Sequence, residues 1–382
     1  MKRRICLLLM SVLLLGTLCM PVCGAALEVP AKSAFLMDVT TGTVLYENNA
    51  HEALPPASVT KVMTMLLIME AIDSGKIGWD DTVTASETAA AKGGSQIYLK
   101  VGETMPVSDM VKAIAVSSAN DCACAMAEHL AGSEGAFVEQ MNQRAKELGM
   151  EDTHFVNCTG LDDDPEAKSH LTSAHDIAVM SRQLLKNHPD IKKYTTIWMD
   201  TVRNGTFGLS NTNKLIRFYN GATGLKTGFT SSAMYCLSAS AQRDGMELVA
   251  VVMGCETSQK RLAACKSLLD YGFANFALVN PELPADNTVP VKLGKQAFVK
   301  AVPYESGSML IDKTQKNSVT TQVTLEESVK APVSKGQRLG TVTVKAGEQV
   351  LAQIPMVAAE TVARQSWWDI FWQVLQSYAM AK

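Results

Sequence analysis

The stretch Pro55-Pro56-Ala57-Ser58-Val59-Thr60-Lys61 runs directly into Val62-Met63-Thr64-Met65-Leu66-Leu67-Ile68-Met69, and the pair constrains the fold more than any other part of the chain. Two prolines followed by Ala-Ser and a run of good helix formers predict a helix whose first turn begins at or near Ser58. The run is apolar on nearly every side, so this helix has to be buried. Residues three apart on a helix share a face, which sets the Lys61 amine one turn above the Ser58 hydroxyl. The positive N-terminal end of the helix and the low-dielectric surroundings both disfavour a protonated amine. Lys61 is then available as a base near pH 7, and Ser58 as its nucleophile.

With 382 residues the chain has length for two folded domains. Lys2-Arg3-Arg4, the apolar run from Ile5 to Met20 and the small residues Cys23-Gly24-Ala25-Ala26 have the layout of a secretory signal peptide, cleaved after Ala25 or Ala26. An uncleaved membrane anchor is the alternative, and the shortness of the run counts against it. On either reading the remainder is exported. Without Lys2, Arg3 and Arg4 the charge balance goes from 35 basic and 38 acidic residues to 32 and 38, with no basic stripe, which argues against nucleic acid as a partner. Six cysteines remain beyond the signal: Cys122, Cys124, Cys158, Cys236, Cys255 and Cys265. Most have apolar neighbours and read as small core residues, and Cys122 and Cys124 lie on separate faces of a helical stretch. No CxxC or HxxxH spacing supports a metal, and no cofactor is expected.

Along the chain, Ser33 to Asp38 and Thr43 to Tyr46 flank Gly42 as a hairpin, and a mostly helical region follows from about Thr84 to Met150. Asp162-Asp163-Asp164-Pro165 reads as a loop, and His175 to Leu185 restores the helical period. Strand signals return at Gly224 to Thr230, Met234 to Ala241 and Glu247 to Met253, the last two joined by the turn Arg243-Asp244-Gly245. Arg261 to Phe276 is a closing helix. The expected fold is α+β, one antiparallel sheet packed by helices from distant parts of the chain. A Pro-rich joint from Asn280 to Pro290 leads into short alternating strands, expected as a small all-β sandwich. The last stretch, from Ser366, places Trp367, Trp368, Ile370, Phe371, Trp372, Val374, Leu375 and Tyr378 on one broad helical face, suited to lying in a membrane interface rather than spanning it. A helix docked on its own β domain or on a partner is the alternative. The expected divisions are 1–25 signal, 26–279 catalytic domain, 280–362 β domain and 363–382 amphipathic helix.

Two further motifs follow Ser58-x-x-Lys61 in order, Ser118-Ala119-Asn120 and Lys226-Thr227-Gly228. Ser118 and Asn120 belong on a turn between two helical stretches, and Lys226 to Gly228 on a strand. The glycine there is expected to leave the strand edge open to an extended peptide. The three motifs resemble the active-site set of penicillin-binding proteins and serine β-lactamases. The stretches Asp38 to Leu45, Ala57 to Thr64, Ser117 to Gly132, Phe137 to Gly160 and Gly221 to Thr230, with the β domain and terminal helix, are similar to the D-alanyl-D-alanine carboxypeptidases among low-molecular-mass penicillin-binding proteins.

That resemblance implies removal of the terminal D-alanine from peptidoglycan pentapeptides at the outer face of the cytoplasmic membrane, and inhibition by β-lactams. It implies an acyl-enzyme on Ser58 with Lys61 as base, and a proton relay through Ser118 and Asn120. Lys226 and Thr227 would bind the terminal carboxylate, and the backbone amides of Ser58 and Phe229 would form the oxyanion hole. Arg261 stands where some relatives have a second carboxylate-binding cation. Phe229 replaces a histidine found in some relatives, and only its amide is needed. A β-lactamase with a deacylating glutamate would need ExxLN, and the nearest candidate, from Glu166 to His170, lacks the asparagine. A catalytically idle wall-binding protein is disfavoured because every motif residue is present.

Overall fold

The structure, a computed structural model, describes residues 27–284, 286–304 and 307–380. The predicted signal segment lies outside the described residues. The first domain is organised around a five-stranded antiparallel sheet of β1 (Ser33–Asp38), β2 (Val44–Asn48), β3 (Ala222–Thr230), β4 (Met234–Arg243) and β5 (Met246–Cys255), in the order β2-β1-β5-β4-β3. Chain ends distant in sequence meet at its centre, where Ala34 pairs with Val252 and Leu36 with Ala250. Asp244 (φ +49°) and Gly245 (φ +80°) close the β4–β5 hairpin in the mirror-image turn that matches strand twist.

Successive strand residues point to opposite faces, and here both faces are covered. Phe35, Met37, Val249, Val251 and Met253 join the larger core, beneath helices α1 (Lys61–Asp73), α2 (Val107–Ser117), α3 (Asn120–Ala131), α4 (Glu134–Glu147) and α5 (Ala174–Asn187). Leu36, Leu248, Ala250 and Val252 face the other way, onto α6 (Ser258–Asn275). That is why these strands read as continuous apolar runs instead of alternating ones. α6 lies close against the sheet at Gly272, where a Cβ would come within 2.4 Å of the Leu248 side chain.

The second domain has its own core of Val289, Val299, Val342, Val344, Ile354 and Met356. Its six-stranded sheet comprises β7 (Thr288–Lys292), β8 (Phe298–Pro303), β10 (Val319–Leu325), β11 (Val329–Lys330), β12 (Arg338–Ala346) and β13 (Gln349–Ala358), ordered β10-β12-β13-β8-β7-β11. Two features differ from the sequence expectation. The Pro-rich joint contains a strand, β7, in which Pro290 pairs with Phe298. The expected strand near Ser308 to Ile311 is β9 (Met309–Asp312), but its partner is β6 (Phe276–Val279), which continues directly from α6. A two-stranded ladder therefore spans the joint, beside a single six-stranded sheet.

The last element is helix α7 (Trp367–Met380), started by a reciprocal cap in which the Asp369 amide donates to Ser366 Oγ and the Ser366 amide and hydroxyl donate to the Asp369 carboxylate. Among the described residues, no helix is long and apolar enough to cross a membrane.

Candidate active site

The chain enters the site through a single 3-10 turn, Ala57–Thr60, which hands over to α1 at Lys61. Helical spacing delivers the expected pair: Lys61 Nζ lies 2.9 Å from Ser58 Oγ. The amine is completely buried and donates at 2.7 Å to the carbonyl oxygen of Thr159. One turn further along the same face, Thr64 Oγ1 donates to the carbonyl of Cys158 at 2.7 Å, so α1 holds this loop at two successive carbonyls. The Asn157 side chain stiffens the loop by accepting from the amides of Thr159 and Gly160. Burial pulls the Lys61 pKa from 10.5 to about 7, against the opposing fields of Cys158 and Asp121.

Ser118 terminates α2 in the left-handed conformation (φ +64°), and Asn120 begins α3, as the turn reading required. The Ser118 hydroxyl is nearly buried and has no hydrogen-bond partner among the described residues. Asn120 donates through its amide nitrogen to the Gly93 carbonyl at 2.7 Å, leaving its buried Oδ1 without a partner. Asp121, unremarked in the sequence, is fully buried and accepts from the amides of Ile97 and Leu99. It fixes the loop whose Ser95 carbonyl accepts from the Asn120 amide.

Lys226, Thr227, Gly228 and Phe229 lie on β3, the edge strand of the sheet. Lys226 is buried, and its pKa is depressed well below the usual lysine value by that burial, then by the positive charges of Lys61 and Arg261. The Thr227 hydroxyl donates to Thr212 Oγ1 at 2.7 Å, while the Thr212 amide donates to the Val116 carbonyl at the end of α2. Thr212 thus ties the strand motif to the serine-asparagine turn. Gly228 has a role beyond the open edge expected of it. A Cβ there would come 2.6 Å from the Pro56 carbonyl oxygen and 3.2 Å from the Ser58 amide nitrogen, so the absent side chain lets β3 abut the serine turn. The Phe229 side chain is half exposed, its ring 4.4 Å from that of Tyr235.

Arg261 sits beside this strand on α6, over the Tyr235 ring, and donates to the carbonyls of Gly228 (3.2 Å) and Cys236 (3.4 Å). Its buried Nε has no hydrogen-bond partner among the described residues. The three motifs therefore meet: serine turn against strand at Gly228, strand to turn motif through Thr212, and two buried lysines close enough for one to depress the other. Sequence reasoning missed Thr159, Asp121 and Thr212, which act through a backbone carbonyl or across long separations. Only Asp121, an acid in the first turn of a helix, carries a local signal. The six cysteines among the described residues are buried and free, in keeping with a core role.

Comparison with known proteins agrees with this geometry. A family model described as D-alanyl-D-alanine carboxypeptidase matches residues 21–257, and one described as the C-terminal domain of penicillin-binding protein 5 matches residues 281–364. The chain is 45% identical over 341 residues to the D-alanyl-D-alanine carboxypeptidase DacF of Bacillus subtilis, covering 87% of this chain and 86% of that one. It is 33% identical over 358 residues to DacC of Escherichia coli, covering 90% and 87%. Among solved structures, penicillin-binding protein 5 of Haemophilus influenzae superposes with a TM-score of 0.74 at 30% identity, over 88% of this chain and 98% of that one. The ampicillin-bound penicillin-binding protein D2 of Listeria monocytogenes gives 0.57 at 33% identity, over 65% and 99%. The chain thus belongs to the D-alanyl-D-alanine carboxypeptidase family, as a serine-type peptidase and penicillin-binding protein of peptidoglycan metabolism.

Proposed function

We propose that Ser58 carries the acyl group when this enzyme removes the terminal D-alanine from a peptidoglycan pentapeptide. The observation that carries the assignment is the Ser58–Lys61 contact, a buried amine with a pKa of about 7 placed 2.9 Å from the hydroxyl. A neutral Lys61 spends an N–H on the Thr159 carbonyl and keeps its lone pair for the serine proton. The Ser58 Oγ–C bond forms as that proton moves to Nζ, and the carbonyl oxygen becomes an oxyanion facing the amides of Ser58 and Phe229. The C–N bond then breaks as the leaving D-alanine amine takes up a proton through Ser118. The Asn120 side chain orients the peptide portion. Water, deprotonated by Lys61, attacks the ester and regenerates Ser58.

Lys226 and Thr227 are the carboxylate-binding pair in this scheme, since an ammonium and a hydroxyl at a fixed position favour a free C-terminal acid over an internal peptide bond. Arg261 adds positive potential while bracing the Gly228 carbonyl. Residues 26–279 contain this chemistry, and 280–362 carry the terminal helix. Exposed Trp367, Trp368, Phe371 and Trp372 support attachment of residues 363–382 to the outer face of the cytoplasmic membrane, after export by the segment 1–25.

A β-lactam would acylate Ser58 in the same way. Glu166 is exposed, with its segment turned into a short 3-10 element, and supplies no evident water-activating base. The penicilloyl enzyme is expected to be long-lived. Fluorescent penicillin labelling followed by intact mass tests the assignment: wild type gains one adduct and Ser58→Ala gains none. An adduct on the substituted protein refutes Ser58 as the nucleophile.

A further inference from the structure

We propose that Thr60 and His170 are positioning residues that aim the Ser58 amide at the oxyanion. The inference rests on the assignment of Ser58 and its amide given above. It starts from peptide geometry: the Ala57 carbonyl and the Ser58 N–H belong to one trans peptide group and point in opposite directions. Whatever holds the carbonyl therefore sets the direction of the N–H.

The Ala57 carbonyl accepts from Thr60 Oγ1 at 2.8 Å, and Thr60 Oγ1 lies 2.8 Å from His170 Nε2. A hydroxyl has one proton. Thr60 gives it to Ala57, so Nε2 must donate to Thr60. At the opposite side of the ring, the Val156 amide donates to His170 Nδ1 at 3.1 Å, which requires that nitrogen to be unprotonated. The two contacts select one neutral tautomer. His170 and Thr60 are both buried, and burial, followed by the charges of His154 and Lys61, lowers the imidazole pKa to about 4. The ring consequently stays neutral wherever Lys61 can act as a base.

The serine turn needs this support. Ala57 has φ +48°, a left-handed conformation that is unfavourable for a residue with a Cβ. Gly160 closes the other side of the same carbonyl, since a Cβ there would come 1.8 Å from Ala57 O and 2.7 Å from Thr60 Oγ1. The chain Val156–His170–Thr60–Ala57 thus holds the turn from behind, and its members hydrogen-bond to one another rather than to the reacting atoms. Removing the Thr60 hydroxyl leaves a buried carbonyl and a buried imidazole N–H without partners, and releases the peptide plane.

The test separates acylation from binding, using benzylpenicillin and the full chain in stopped flow. Thr60→Val is expected to lower the first-order acylation constant about 10- to 100-fold, less than outright deletion of an oxyanion donor. The noncovalent dissociation constant should stay within about twofold, and the acid limb of the pH profile, which reports Lys61, should not move. Thr60→Ser restores the donor and should recover a rate within about threefold of wild type. Acylation by Thr60→Val at the wild-type rate, an equal loss in Thr60→Ser, or a loss confined to the dissociation constant overturns the proposal. Should Thr60→Val fail to fold, His170→Gln, which retains an N–H for Thr60, must outpace His170→Ala by about tenfold. Equal rates for those two also overturn it. If Ser58→Ala still takes the adduct, the underlying assignment fails instead, a result that none of the Thr60 or His170 outcomes mimics.

Discussion

The catalytic groove and the terminal helix invert the ordinary sorting of residues in opposite directions. The groove buries two lysines, an asparagine and a threonine, while α7 holds Trp367 and Trp368 at 69% and 63% exposure. Each inversion costs free energy in water, and each becomes useful only toward a third party. A lysine stripped of water acquires a pKa of about 7 and can take a proton that an exposed lysine would leave on the serine. A tryptophan that stays largely exposed becomes favourable once lipid covers it. On the roles proposed above, chemistry and attachment are separable parts of one chain, and substitutions in one should leave the other untouched.

The largest expected effect lies in the groove. Lys61→Met preserves apolar packing and removes the base, so acylation by penicillin should fall by about 100- to 10,000-fold while the protein still sediments with membranes. Comparable acylation in Lys61→Met and wild type would mean that another group takes the proton. Lys226→Met comes next. It removes a charge-assisted contact to the substrate carboxylate, about 1.5–3 kcal/mol, or about 10- to 150-fold in kcat/KM on a defined pentapeptide. Since the binding term is lost, much of the change should appear in KM.

The roles proposed for the two lysines need opposite charge states, which gives a pH dependence of definite sign. Lys61 must be neutral, so acylation falls about tenfold per unit as pH drops below about 7. Lys226 must be protonated to hold a carboxylate, and burial with two neighbouring cations lowers its pKa, so substrate binding weakens on the alkaline side earlier than for an ordinary lysine. The profile of kcat/KM for the peptide should be bell-shaped and belong to the coupled pair. A flat profile between pH 5 and 7 would contradict the buried-base account, about which the alkaline limb says nothing.

How much of this was legible depends on sequence distance. The closeness of Ser58 and Lys61 follows from helical spacing, and the turn at Ser118 and the strand at Lys226 follow from local pattern, while their reading as one site rests on the resemblance that the three motifs carry together. Thr60 was in view within the same motif, yet its partner His170 stands 110 positions away, and no periodicity connects them. Gly228 was read as an opening for substrate because a sequence shows an absent side chain, not the Pro56 carbonyl that fills the space. The β6–β9 ladder was hidden for a related reason: prolines mark a joint, and strands that pair across it leave only short apolar runs on either side.

The smallest effect on catalysis, and the sharpest test of separability, concerns α7. Deleting residues 366–382 should release the enzyme from membranes and leave kcat/KM on a soluble pentapeptide within about twofold. Within the helix, Trp368→Ser and Trp372→Ser should each weaken binding to phosphatidylglycerol–phosphatidylethanolamine vesicles by about tenfold, as expected for losing one buried aromatic side chain. No lysine or arginine lies within α7, and its one acid, Asp369, sits opposite the apolar face, 3.9 Å from Lys295. Attachment should accordingly persist when salt is raised from about 0.1 to 1 M, a change that shortens the screening length from about 10 to 3 Å. Release by salt alone would replace the aromatic account with an electrostatic one. Loss of peptide turnover on deletion would show that the helix supports the groove, and the two inversions would no longer be independent.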